Sequence, residues 1–308
     1  MTHFSKLLVV VEDEFDRAAM ISEVSAVAGR SGAQVTLLGI TAPPPDDPET
    51  QVAQSNLYEW TTTAQLRDLR KLRAELEQAG ISATVEQTVG KPYEEIIRAA
   101  IAGGYDLTMK PAAEKAGRFN FLFGSTDMQL FRLSPDPVWI FKPTPANKLA
   151  RVMVAVDLLA FDEEKSALAD KVLRWGKSVA DAVGAKLHVL HIWDLHREFS
   201  LRSQVGPRSV DSLLLALEQR HRQWLDQAIA QSGLDPDKVT VHFRKGDAEE
   251  MIPSIAHAQK IDLLVMGTVG RTGIPGFFIG NTADSVLRQV NCSVLAIKPD
   301  GFRTPIKT

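Results

Sequence analysis

The sequence predicts an α/β protein made of two tandem domains, each built on a doubly wound parallel sheet, and three observations carry that expectation. The first is an internal repeat. Setting Gly90 on Gly246 aligns residues 90–143 with 246–299 at an offset of 156 without a gap, and 15 of those 54 positions are identical. Among them are Glu94/Glu250, Asp106/Asp262, Leu107/Leu263, Gly124/Gly280, Thr126/Thr282, Arg132/Arg288 and Pro143/Pro299. The second is the alternation, inside each repeat, of short apolar runs with longer helical stretches. Strands buried on both faces of a parallel sheet read as continuous apolar runs of this kind. The third is size: 308 residues suffice for two separate cores. A repeat of this length indicates duplicated domains, because solenoid periods run at about 20–50 residues. The expected division is a first domain over 1–143, a linker over 144–149 and a second domain over 150–308.

Each half opens on a β-branched run, Leu7–Val11 and Val152–Val156. A helix follows, clearest over 166–183, where apolar residues recur at 168, 172, 175, 179 and 183. Second strands fall at 35–40 and 187–192. The segments after them differ: Pro43–Pro48 reads as a stiff turn-rich loop, and 199–210 as a polar, mobile one. Long helices then run to Gly80 and Gly233, which read as helix stops. Third strands at 82–89 and 239–244 lead to Gly90 and Gly246. Fourth strands at 106–109 and 262–266, a last helix and final strands at 138–141 and 294–297 complete each unit. Regular strand–helix alternation predicts right-handed crossovers, with ligands bound beyond the carboxyl ends of the strands. The prolines of the stretch 142–149 make the connection a semi-rigid spacer.

Composition removes several function classes. The net charge of −3 offers no basic surface for nucleic acid. No apolar run approaches the ~18 residues that span a membrane, and the first residues lack a secretory apolar region, so a cytoplasmic protein is expected. A single cysteine, Cys292, excludes an internal disulfide and a thiolate cluster. It precedes a core strand and reads as a small buried hydrophobe.

The pattern that carries chemistry is Gly267-Thr-Val-Gly270, then nine residues, then Gly280-Asn281-Thr282, directly behind the apolar run Leu263–Met266. Glycines let backbone approach an anion, and the helix that follows presents free N–H groups and a positive dipole end. With this spacing the sequence resembles the universal stress protein family in its tandem two-domain form, over essentially the whole chain. The resemblance implies Rossmann-like domains with strand order 3-2-1-4-5, paired through their fifth strands about a pseudo-two-fold axis. It implies an ATP site, with or without Mg2+, in the second half, made by Asp157, Ile192, Met266, Gly267, Gly270, Arg271, Gly280, Asn281 and Thr282. Asn281 departs from the family's Ser or Thr. The first half departs further: its motif reads Pro111-Ala-Ala-Glu114, and Glu12 with Asp13 stands at the first-strand acid position. That half is expected not to bind ATP.

There is no phosphate-loop lysine in 271–279 and no evident catalytic base, so binding without turnover is expected. No catalytic residue is assigned. The expected role is a stress-response nucleotide sensor. A slow ATPase or nucleotidyl-handling enzyme, and a carrier of an amphipathic or lipid-like metabolite on the apolar loops 119–123 and 274–279, are the alternatives. Protein partners and homodimerisation beyond the internal pairing stay open, as does any metal. A metal site at His191, Asp194 and His196 is weaker than a solvated loop there. Arg67–Glu77 reads as a solvated helix face.

Overall fold

The computed structural model describes residues 4–12, 15–43, 51–112, 123–144, 148–158, 163–269 and 279–307, the side chains of 51–57 and 163–165 excepted. In the first domain, strands β1 (Lys6–Val11), β2 (Gln34–Thr41), β3 (Ala83–Val89), β4 (Leu107–Pro111) and β5 (Val138–Phe141) alternate with helices. These are α1 (Arg17–Ser31), α2 (Gln51–Gln78), α3 (Pro92–Gly103) and α4 (Ser125–Leu133). The second domain repeats the order with β6 (Arg151–Val156), α5 (Glu163–Val183), β7 (Lys186–Trp193), α6 (Glu198–Val205) and α7 (Pro207–Gln231). It continues with β8 (Val239–Lys245), α8 (Ala248–Ala258), β9 (Leu263–Gly267), α9 (Asn281–Gln289) and β10 (Ser293–Ile297).

The strands form one ten-stranded sheet in the order β3-β2-β1-β4-β5-β10-β9-β6-β7-β8. Each half therefore has the 3-2-1-4-5 order, all parallel within itself. The halves meet through β5 and β10, which run antiparallel, with Leu295 opposite Trp139. That pair stands at the repeat's own offset of 156, so the two-fold relation passes through it.

The identity of Asp106 with Asp262 has a direct cause. Asp106 accepts the backbone N–H groups of Ser5 and Lys6 at 2.7 and 2.8 Å, and Asp262 those of Ala150 and Arg151 at 2.8 and 2.9 Å. Each aspartate pins the start of its domain's first strand to the fourth. Gly80 and Gly233 take φ of 81° and 71°, the left-handed conformation that ends a helix without a Cβ clash.

One apolar core lies on the face covered by α1, α2, α5 and α7, the other on the face covered by α3, α4, α8 and α9, and both run through both domains. On α2 the buried Leu69, Leu72 and Leu76 face the first core, while Asp68–Lys71 and Arg73–Glu77 pair on the outside. The stretch 199–210 is a correction: it is helical in α6 and the start of α7. Arg202 ties it down by pairing with Glu198 at 2.9 Å and Asp211 at 2.8 Å, and Pro207 supplies the first residue of α7. Among the described residues no helix is long and apolar enough to cross a membrane.

Candidate functional site

At the carboxyl edge of the second domain, strand register brings the expected residues side by side. Val156 lies opposite His191 on β7, so Asp157 and Ile192 follow as neighbours just beyond. β9 pairs with β6 on the other side, with Met266 opposite Ala155. Asp157 is exposed, Ile192 half-buried and Met266 buried. Gly267 closes β9, where a Cβ would meet Leu168 Cδ2 of α5 at 2.9 Å, so a larger residue has to displace that leucine. Gly270 and Arg271 lie outside the described residues.

Thr268 ties this turn together. Its N–H reaches Ile297 O at 3.3 Å, and its carbonyl accepts the Gly280 N–H at 3.0 Å. Gly280 is the N-cap of α9 and makes no side-chain cap bond. Asn281 and Thr282 follow as exposed first-turn residues, and the third helical position is the small Ala283. The first N–H groups of a helix have no partner within it, and their dipole end attracts anions. The first three helical residues carry no carboxylate, and the first-turn acid that follows, Asp284, pairs with Arg132 at 3.4 Å and Arg288 at 2.8 Å.

The first domain solves the same geometry differently. The repeat places Lys110 where Met266 stands and Asp127 where Ala283 stands. Asp127 accepts the Gly124 N–H at 2.8 Å, capping α4, and lies 2.8 Å from Lys110 Nζ. Lys110 Nζ also meets Glu12 Oε1 at 2.9 Å and donates to Pro111 O at 2.9 Å. Lys110 and Asp127 are fully buried. The Gly124 N–H is thus met by a side-chain carboxylate, whereas the equivalent Gly280 N–H is met by the backbone carbonyl of Thr268. Glu12, at the first-strand acid position, is neutralised by the same lysine, Lys110. Asp13 and Glu114 lie outside the described residues.

His191 does not offer its side chain to a ligand. Its Nδ1 lies 3.0 Å from Val156 O, and its Nε2 2.9 Å from His221 Nδ1 on α7. A carbonyl only accepts, so Nδ1 carries the His191 proton and Nε2 accepts from His221. Trp193 stacks on His221 and Trp224 meets its edge. Burial pushes His221 down to about 4 and His191 below its ordinary value, so both are neutral at pH 7. The proposed grouping of His191 with Asp194 and His196 does not assemble: among the described residues no three His, Cys, Asp or Glu are placed to hold a metal. On the opposite face of β7, His188 bonds His242 of β8 at 2.9 Å.

Of the apolar loops, only the ends lie within the described residues. Phe123 packs edge-on against Phe131 at 5.1 Å, and Ile279 is buried in the α8–α9 core. Burial pushes the Cys292 thiol up to about 11, which leaves it a poor nucleophile. A cavity of about 470 Å3 lies at the other edge of the sheet, between the end of α3, the turn at Pro135–Asp136 and the chain end at 302–306. It contains none of the cradle residues.

Comparison with known proteins follows the same outline. A model of the universal stress protein family matches residues 3–142 and again 149–298. Over 229 residues the chain is 31% identical to universal stress protein E of Escherichia coli K12, covering 70% of this chain and 68% of that one. It is 25% identical over 313 residues to universal stress protein E of Photorhabdus laumondii, covering 100% and 99%. Among solved structures, a functionally unknown protein from Pseudomonas aeruginosa PAO1 gives a TM-score of 0.75 at 24% identity, over 97% of this chain and 94% of that one. A universal stress protein from Archaeoglobus fulgidus gives 0.65 at 21%, over 95% and 98%. At these identities the structural likeness speaks for the fold.

Proposed function

The chain belongs to the universal stress protein family, and on that premise we propose that it is a cytoplasmic nucleotide sensor whose second domain binds ATP and whose first domain does not. The observation that carries this reading is the contrast between the start of α9, which has no side-chain cap, and the carboxylate-capped start of α4. Asn281 and Thr282 present backbone N–H groups to the phosphates, and the Asn281 amide and Thr282 hydroxyl add donors. Gly267 keeps the turn slim, and Asp157 stands one strand away for the ribose or a Mg2+ ion. Nucleotide binding without rapid turnover is the behaviour this reading expects. The signal is then nucleotide occupancy.

The test copies the first domain into the second. Calorimetric titration of ATP and ADP, with and without Mg2+, is expected to give binding to the intact protein. Ala283→Asp, alone and with Met266→Lys, places a carboxylate and its counter-ion where α4 has them, and is expected to abolish binding while the fold is retained. Unchanged binding in the double variant moves the ligand away from α9.

A further inference from the structure

We propose that Thr268 is a positioning residue through which the first domain holds the cradle of the second, an inference that rests on the nucleotide-binding reading of that cradle. The last carbonyls of a helix have no partner within it. In α4, Leu130 O is met by the Ser134 N–H at 3.0 Å. Phe131 O and Arg132 O are met from the other domain. Thr268 Oγ1 donates to Phe131 O at 3.2 Å, and Lys298 Nζ reaches Phe131 O at 2.7 Å and Arg132 O at 3.3 Å.

Thr268 is fully buried, as is Phe131, and Lys298 nearly so. All three polar groups of Thr268 are therefore committed, to β10, to the N-cap of α9 and to the C-terminal end of α4. Because its carbonyl holds the Gly280 N–H, a shift of Thr268 shifts the start of α9 relative to Gly267. Arg132 of α4 and Asp284 in the first turns of α9 add a second link at 3.4 Å.

The link is one-sided. The repeat sets Ala112 of the first domain opposite Thr268, and alanine has no hydroxyl to donate. The lysine contact, by contrast, occurs both ways, since Lys142 Nζ reaches Val290 O behind α9 at 3.0 Å. A device serving only the interface would appear twice. The hydroxyl appears only in the domain whose helix terminus has no side-chain cap.

Thr268→Val exchanges the hydroxyl for a methyl group at nearly constant volume, and Thr268→Ser restores it. Loss of one buried hydrogen bond in the support is expected to weaken ATP binding about tenfold in the valine variant, with the serine variant within about twofold of the parent. Amide hydrogen exchange across Met128–Ser134 is expected to quicken in the valine variant and not in the serine one. In the parent it is expected to slow when ATP is added. Equal affinity in parent and valine variant, or a serine variant as weak as valine, overturns the proposal. If the parent binds no nucleotide, the sensor reading fails, and the exchange data then decide alone. Faster α4 exchange in valine with rescue by serine keeps the cross-domain support, and unchanged exchange removes it.

Discussion

The starts of α4 and α9 are the same element written twice, each after a glycine N-cap and each at the carboxyl edge of its sheet. Among the positions that differ between them, two change the charge at the helix terminus: Lys110 stands for Met266 and Asp127 for Ala283. In the first domain Asp127 stands at the positive helix terminus, and Lys110 is the buried counter-ion it shares with Glu12. In the second, Ala283 stands at the equivalent position and supplies no carboxylate. On the nucleotide-binding reading proposed above, an anion site is closed without a change of fold: the chain supplies its own anion and its own counter-ion. On that reading, losing the motif glycines is only half of the closure.

The largest effect is expected from breaking the closed side. Lys110→Met leaves two carboxylates facing one another with Asp127 fully buried, which should cost about 3–5 kcal/mol in urea unfolding. Lys110→Met with Asp127→Ala copies the second domain and should recover most of that loss, because an apolar pair replaces a buried ion pair at little cost. A neutral single variant would show that the lysine is not what closes the site.

The next effect compares α1 with α5. Nine residues before the helix-ending Gly32 and Gly184 stand Glu23 and Trp175. Trp175 packs on Phe4 of the first domain at 5.3 Å, whereas Glu23 is buried at 3% exposure. Burial first, and the nearby Asp262 second, push Glu23 up to about 8 from an ordinary 4.5. An acid raised in the folded state costs stability above its unfolded pKa. Stability should therefore fall as pH rises from about 4.5 to about 8 and level off beyond. Glu23→Gln should remove that slope, a gain on the order of 3 kcal/mol at pH 7. Parallel pH profiles for the two proteins would refute it.

The smallest effect separates Lys142 from Lys298, equivalent in the repeat and each reaching into the other domain. Burial pushes Lys142 down to about 8 and Lys298 to about 7, from 10.5. A lysine lowered in the folded state costs stability below its folded pKa. That cost is relieved as pH rises toward 10.5. Lys298→Met should flatten a rise in stability that begins near pH 7, and Lys142→Met one that begins near pH 8. Identical onsets in urea titrations would erase the distinction.

Much of this architecture was legible in the residues. The repeat offset fixed which strands correspond, and continuous apolar runs marked a sheet covered on both faces. The cradle segments Gly267–Thr268 and Gly280–Thr282 stood out because glycine spacing and helix capping are local. The missed features are pairings across space. Lys110 and Asp127 are 17 residues apart in sequence, and nothing local says that they touch; the only signal was that both differ from their repeat partners. Lys142 and Lys298 are identical in the repeat, yet nothing local in the proline-rich spacer 142–149 says that Lys142 is buried. The helix at 198–205 was read as a polar loop, because its support comes from Lys245 and Asp211 outside it. His221 joins His191 only once α7 folds back over β7.

The antiparallel seam between β5 and β10 also bears on what a pair of domains can become. Two copies of one gene product, meeting at such a seam, must carry the same residues at both sites, and both are closed or both are receptive. Joining the copies in one chain frees each to change alone, so one half can give up its ligand and specialise as support. The join also makes pairing intramolecular, at an effective concentration on the order of millimolar for a short connection. The asymmetric pair therefore persists at any dilution the cell imposes.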